Sequence, residues 1–209
     1  MEPERTRHFS MIRDFQLADL VTLVNGFCGA GAVLAVVKYA ATGDRFYLWL
    51  AILLLPGALL ADFADGRIAR RRGENSPMGQ ELDSLADLIS FGMAPATVGF
   101  ALGLDGSVDV AILLYFVGCG ISRLARFNAT VALLAESPGG KVRHFEGTPI
   151  PTSLGLVAIL AILAWQGRTG EALPLGQLEA GPFRLHPVAL IFFLSGSAMI
   201  SKTLKVPKP

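Results

Sequence analysis

Carboxylates are costly inside an apolar chain unless something neutralises them. This sequence places four of them, Asp62, Asp65, Asp83 and Asp87, within 26 residues of a chain that is otherwise mostly apolar. The first half reads Asp62-Phe-Ala-Asp65-Gly66-Arg-Ile-Ala69-Arg70, and after eight residues Gly79-Gln-Glu-Leu-Asp83-Ser-Leu-Ala-Asp87 follows. In a helix Asp62, Asp65, Gly66, Ala69 and Arg70 form one stripe, and Gly79, Asp83 and Asp87 form another. Two such helices facing each other aim all four acids into one cleft. That much negative charge calls for a bound cation or for protonation. Oxygen-only ligands favour a hard ion, magnesium or manganese first and calcium second. Two blander readings compete: helix-surface acids paired with Arg67, Arg70, Arg71 and Arg72, or an ion or proton pathway across a membrane.

The membrane setting follows from composition. Of 209 residues 52% are hydrophobic and 17% charged, with a mean hydropathy of +0.52, as expected for a multi-spanning protein. A net charge of +1 argues against nucleic acid as a partner. Cys28 and Cys119 lie in apolar segments without metal-ligand spacing and read as buried thiols. No cleavable signal is expected, because the first apolar run follows a mixed polar segment and leads into further spans.

The expected fold is all-α, a six-span transmembrane bundle over residues 17–209 behind an N-terminal segment, 1–16. That segment mixes Arg5, Arg7, His8 and Arg13 with Phe9, Met11, Ile12 and Phe15, the composition of a short interfacial helix or of a disordered tail. Spans are expected near 17–41, from 46 to the acids, 79–103, 110–134, 152–166 and 187–204. A turn-rich link at 73–77 makes the second and third antiparallel neighbours, so their polar ends meet on one side. Basic residues at Arg5, Arg7, Arg13, Arg70, Arg71, Arg72, Lys141, Arg143, Lys202, Lys205 and Lys208 fall on that side, against Lys38, Arg45, Arg168 and Arg184 opposite. The acids and both termini are therefore expected to be cytoplasmic. Arg123 and Arg126, inside the fourth span, must face a cavity, an anion or the interface, where snorkelling would suffice. His8, His144 and His186 lie outside the spans at unrelated spacings and read as loop residues rather than ligands.

The pattern Asp-x-x-Asp-Gly-x-x-Ala-Arg, eight residues, Gly-x-x-x-Asp-x-x-x-Asp resembles the signature of the CDP-alcohol phosphotransferase family, and every fixed position is matched. The resemblance implies that Asp62, Asp65, Asp83 and Asp87 bind metal, two Mg2+ or Mn2+ ions, and that Asp87 is also the general base. It implies that Asp62, Asp65, Gly66, Ala69, Arg70, Gly79 and Asp83 line the CDP site. It further implies a homodimer embedded in membrane lipids.

Longer segments, Leu17–Gly26, Gly79–Pro95, Arg123–Asn128, Phe145–Pro151 and Met199–Pro209, are similar to the phosphatidylserine-forming branch of that family, its fungal members in particular. The implied reaction joins CDP-diacylglycerol and L-serine to give phosphatidylserine and CMP. Arg123 or Arg126 would meet the serine carboxylate, with Phe127 and Asn128 as weaker candidates. The implied location is the endoplasmic reticulum in a eukaryote or the plasma membrane in a bacterium. Other readings stay open at this point: a phosphorylated acceptor such as inositol phosphate or glycerol phosphate, met by Arg123, Arg126, Lys141 and Arg143, or a cation transporter.

Overall fold

The computed structural model describes residues 16–72, 77–135, 144–201 and 205–207. The expected interfacial segment, the loop basics Lys141 and Arg143, and most of the link between the second and third spans lie outside the described residues. α1 runs Leu17–Thr42 over 26 residues. It opens with a capping box in which the Gln16 backbone N–H donates to Asp19 Oδ2 at 2.9 Å. It closes at Gly43, whose φ of 69° gives the left-handed turn that a glycine adopts without strain. Asp44 then accepts from the Phe46 N–H at 2.9 Å, and α2 runs Arg45–Arg72 for 28 residues antiparallel to α1. Small residues line their contact: Ala32, Ala51 and Ala58 are fully buried, which lets the backbones approach closely.

The third rod is not one α-helix. α3 (Pro77–Asp87) passes into a π-helical segment, Leu88–Met93, before α4 (Ala94–Ala101) resumes the ordinary winding. A periodicity of 3.6 gives no warning of this, because a single widened turn shifts the register without changing which residues are apolar. Packing explains where it falls. Gly29 of α1 lies so close to the π segment that a Cβ there would sit 2.6 Å from Ser90 Cα and 2.8 Å from Ser90 N. On the other flank, the buried Ile150 side chain fits between Gly92 and Gly120; its Cδ1 would lie 3.8 Å and 3.1 Å from a Cβ at those positions.

α5 (Ser107–Ala135, 29 residues) crosses back beside this rod. After β1 (His144–Glu146), a 3-10 turn at Ile150–Ser153 leads into α6 (Leu154–Trp165). β2 (Leu178–Ala180) and β3 (Phe183–Leu185) form an antiparallel hairpin, and a 3-10 turn at Pro187–Ala189 starts α7 (Leu190–Ile200). β4 (Lys205–Pro207) pairs antiparallel with β1, Phe145 opposite Val206. The fold is mostly helical, as expected, and among the described residues two short two-stranded pieces lie in the connections. The last helix also ends at Ile200 rather than continuing to residue 204, because Ser201 is extended, with φ −68° and ψ 126°.

Among the described residues four helices are long and apolar enough to cross a membrane: Leu17–Thr42, Arg45–Arg72, Met78–Ala101 and Ser107–Thr130. Ile150–Trp165 and Pro187–Ile200 are apolar but shorter. Large apolar side chains project outward, as a lipid-facing surface requires; Phe27, Leu53 and Leu60 are 69%, 69% and 71% exposed. Cys119 is buried as expected, while Cys28 is only half-buried. His186 does lie in a connection, but it is buried. Its Nδ1 sits 2.6 Å from Asp109 Oδ2 and its backbone N–H donates to Asp109 Oδ1 at 2.8 Å, tying the approach to α7 onto the start of α5.

The Gly29 contact gives a stability prediction. Gly29→Ala forces α1 off Ser90 and should cost about 1–3 kcal/mol, as overpacking does elsewhere. Thermal unfolding in detergent measures it.

Candidate active site

α2 and α3 place their acids on facing stripes, as the spacing requires. Asp62 from α2 and Asp83 and Asp87 from α3 each offer a carboxylate oxygen, and the three oxygens lie within 4.8 Å of one another. Asp87 is buried at 8% exposure, and Asp62 and Asp83 are half-buried. Asp83 Oδ1 is sealed from solvent and has no hydrogen-bond partner among the described residues. An unpaired buried carboxylate oxygen beside two further carboxylates is the environment a hard cation satisfies, so the residues fit a divalent metal.

Asp65 stands apart from this trio. It is buried on α2 and accepts a hydrogen bond from Thr22 Oγ1 of α1 at 2.6 Å. The same hydroxyl lies 3.1 Å from the Ala18 carbonyl, so its single proton is shared between two acceptors. One turn further along α1, Asn25 is fully buried and donates from Nδ2 to Asp87 Oδ1 at 3.0 Å. Its backbone carbonyl accepts from Ser90 Oγ at 2.9 Å. Asp19, Thr22 and Asn25 thus form a buried polar stripe on α1 that reasoning from the acidic motif passes over. The signal was present, since three polar residues recur at spacing three in an otherwise apolar span.

The glycines and basic residues of the motif sit at the same end of α2. The Arg70 guanidinium folds back against Gly66, with Nη1 3.4 Å from where a Cβ would stand. Arg70 is exposed, Gly66, Ala69 and Gly79 are half-buried, and Arg67 instead stacks over the Phe63 ring at 4.6 Å. On α5, Arg123 is half-buried and within electrostatic reach of Asp87, and its Nε has no hydrogen-bond partner among the described residues. Arg126 is exposed and Phe127 half-buried. Asn128 is committed to α3. Its Oδ1 accepts from Ser84 Oγ at 3.2 Å and Gln80 Nε2 at 3.4 Å, while Nδ2 donates to Glu81 Oε2 at 3.2 Å.

An apolar helical protein with a three-carboxylate cluster, an adjoining arginine and glycine-spaced helix faces has the donor set that suits a divalent ion beside a phosphate. Residues 15–194 match the CDP-alcohol phosphatidyltransferase family, and the chain belongs to it. It is 47% identical over 204 residues to the CDP-diacylglycerol–serine O-phosphatidyltransferase of Saccharomyces cerevisiae, an alignment covering 97% of this chain and 74% of that protein. The enzymes of the same name from Bacillus subtilis and Mycobacterium leprae are 32% and 45% identical, over 68% and 54% of this chain. The chain spans 73% of the Bacillus protein but only 37% of the Mycobacterium one.

The hydrogen bonds of Asn128 make it a clasp between α5 and α3. Asn128→Ala should lower stability by about 1 kcal/mol, the usual net value of hydrogen bonds of this kind, and leave metal binding in place. Thermal unfolding with and without Mn2+ separates the two effects.

Proposed function

We propose that this chain is a phosphatidylserine synthase that transfers the phosphatidyl group of CDP-diacylglycerol to the hydroxyl of L-serine and releases CMP. The observation that carries this reading is the convergence of Asp62, Asp83 and Asp87 from two helices, with Arg123 of a third beside them. The identity with the yeast enzyme along nearly the whole chain supports serine as the acceptor.

Asp62, Asp65, Asp83 and Asp87 are the proposed holders of two Mg2+ or Mn2+ ions. When bound, the ions offset the charge of the diphosphate and of the phosphate oxygen that leaves with CMP. Asp65, held by Thr22, would join the set from the neighbouring turn of α2. Gly66, Ala69 and Gly79 keep both helix faces low enough for the cytidine and its phosphates to approach, and Arg70 supplies a charge-assisted contact to phosphate. Asp87 accepts the proton of the serine hydroxyl as that oxygen forms its bond to the phosphatidyl phosphorus and the bond from phosphorus to the CMP oxygen breaks. Arg123 or Arg126 binds the serine carboxylate. Phe127 adjoins them, and the part left to Asn128 is to hold α3 in register against α5.

The same reading sets the site at the cytoplasmic face of a six-span bundle. Ile150–Trp165 and Pro187–Ile200 are the fifth and sixth spans. At about 1.5 Å per residue these two segments reach only about 24 Å and about 21 Å against a hydrocarbon core of about 30 Å, so their flanking turns complete the crossing. Arg70, Arg71 and Arg72 at the end of α2 keep that face cytoplasmic. The protein works as a homodimer, in the endoplasmic reticulum membrane of a eukaryotic cell or the plasma membrane of a bacterium.

Purified protein given CDP-diacylglycerol, Mn2+ and a panel of L-serine, glycerol phosphate, inositol and inositol phosphate should release CMP fastest with serine. Asp87→Asn should lower that rate roughly 10²–10⁴-fold, the range for loss of a general base, while still binding CDP-diacylglycerol. A faster rate with a phosphorylated acceptor would place the chain in another branch of the family.

A further inference from the structure

Asn25 has no part in the motif, yet it is the fully buried group that touches the proposed base. Three observations fix its amide. Nδ2 donates to Asp87 Oδ1 at 3.0 Å, and its carbonyl backbone is held by Ser90 Oγ at 2.9 Å. The side-chain Oδ1 is buried without a hydrogen-bond partner among the described residues. The amide cannot turn over, because that would set its oxygen against a carboxylate oxygen. A residue kept only for packing at this depth would not leave a buried acceptor unpaired, since that costs stability and an apolar side chain would avoid it.

We propose that Asn25 is a positioning residue that fixes the rotation of the Asp87 carboxylate, holding Oδ1 and presenting Oδ2 to the acceptor hydroxyl. A free carboxylate turns about its Cβ–Cγ bond over a broad range of angles. Tethering one oxygen narrows that range before the acceptor arrives, and the tether lies in the close-packed seam where α1 meets the π segment. The widened turn directly after Asp87 puts Ser90 where its hydroxyl reaches the backbone of the same asparagine. The base, its tether and the anchor of the tether are thereby locked together, with α1 supplying a group that neither α2 nor α3 provides. The inference rests on the reading of Asp87 as the base.

The test compares kcat and both KM values for Asn25→Ala, Asn25→Leu and Ser90→Ala with wild type, measuring CMP release from CDP-diacylglycerol and L-serine. Asn25→Ala should lower kcat roughly 10- to 100-fold, the scale for a misplaced reacting group, and leave the CDP-diacylglycerol KM and the Mn2+ requirement within about two-fold. Asn25→Leu keeps the approximate size but offers no N–H, so it should match the alanine variant. Ser90→Ala removes the anchor but keeps the N–H, so it should lower kcat by a smaller factor than Asn25→Ala does and leave both KM values within about two-fold. Wild-type kcat in Asn25→Leu, or a fall in Ser90→Ala equal to that of Asn25→Ala, would each overturn the positioning role. Asp87→Asn is assayed alongside: if it retains wild-type turnover, the assignment of the base has failed instead.

Discussion

Carboxylates within 4.8 Å of one another repel, and in a partly buried setting the repulsion is poorly screened. The structure holds them there by stiff means. α2 and α3 carry the acids on opposing stripes, and α1 packs against both through glycine and alanine contacts that leave little freedom to spread apart. Thr22 and Asn25 then reach from α1 to Asp65 and Asp87 with neutral donors, which relieve part of the charge without filling the cluster with cations of the protein's own. An arginine or lysine inside the cluster would stabilise the resting protein and compete with a metal. Arg123 is instead placed at its margin, near Asp87.

The acidic motif was legible because its chemistry and its geometry coincide. Spacings of three and four put Asp62 on one stripe and Asp83 and Asp87 on another, and the short link between their helices leaves those stripes facing. Asp65 was legible as a member of the motif but not in its present company, since nothing in 62–87 tells that Thr22, more than forty positions earlier, holds it. Asn25 and its bond to Asp87 needed the packing of α1, which sequence spacing within one helix cannot supply. Asn128 was legible as a polar residue in a span, but its partners Gln80, Glu81 and Ser84 are tertiary.

The fold itself was read from apolar runs, and the runs predict helices better than they predict irregularities. The 3-10 turns that open α6 and α7 carry a proline at their start, a local signal, whereas the π segment after Asp87 and the pairing of β1 with β4 involve partners elsewhere in the chain. Asp109 and His186 form the second buried polar centre, joined by hydrogen bonds between α5 and the connection to α7. That centre fastens the second half of the bundle, while the acidic cluster and the α1 stripe organise the first.

The proposed reaction depends on the converging aspartates forming a metal site. Electron paramagnetic resonance of Mn2+ titrated into the purified protein tests it most directly, comparing wild type with the combined Asp62→Asn, Asp83→Asn and Asp87→Asn variant. Binding should be saturable in the wild type and lost in the variant while the protein remains folded. Equal Mn2+ binding by both proteins, or none by the wild type, would contradict it.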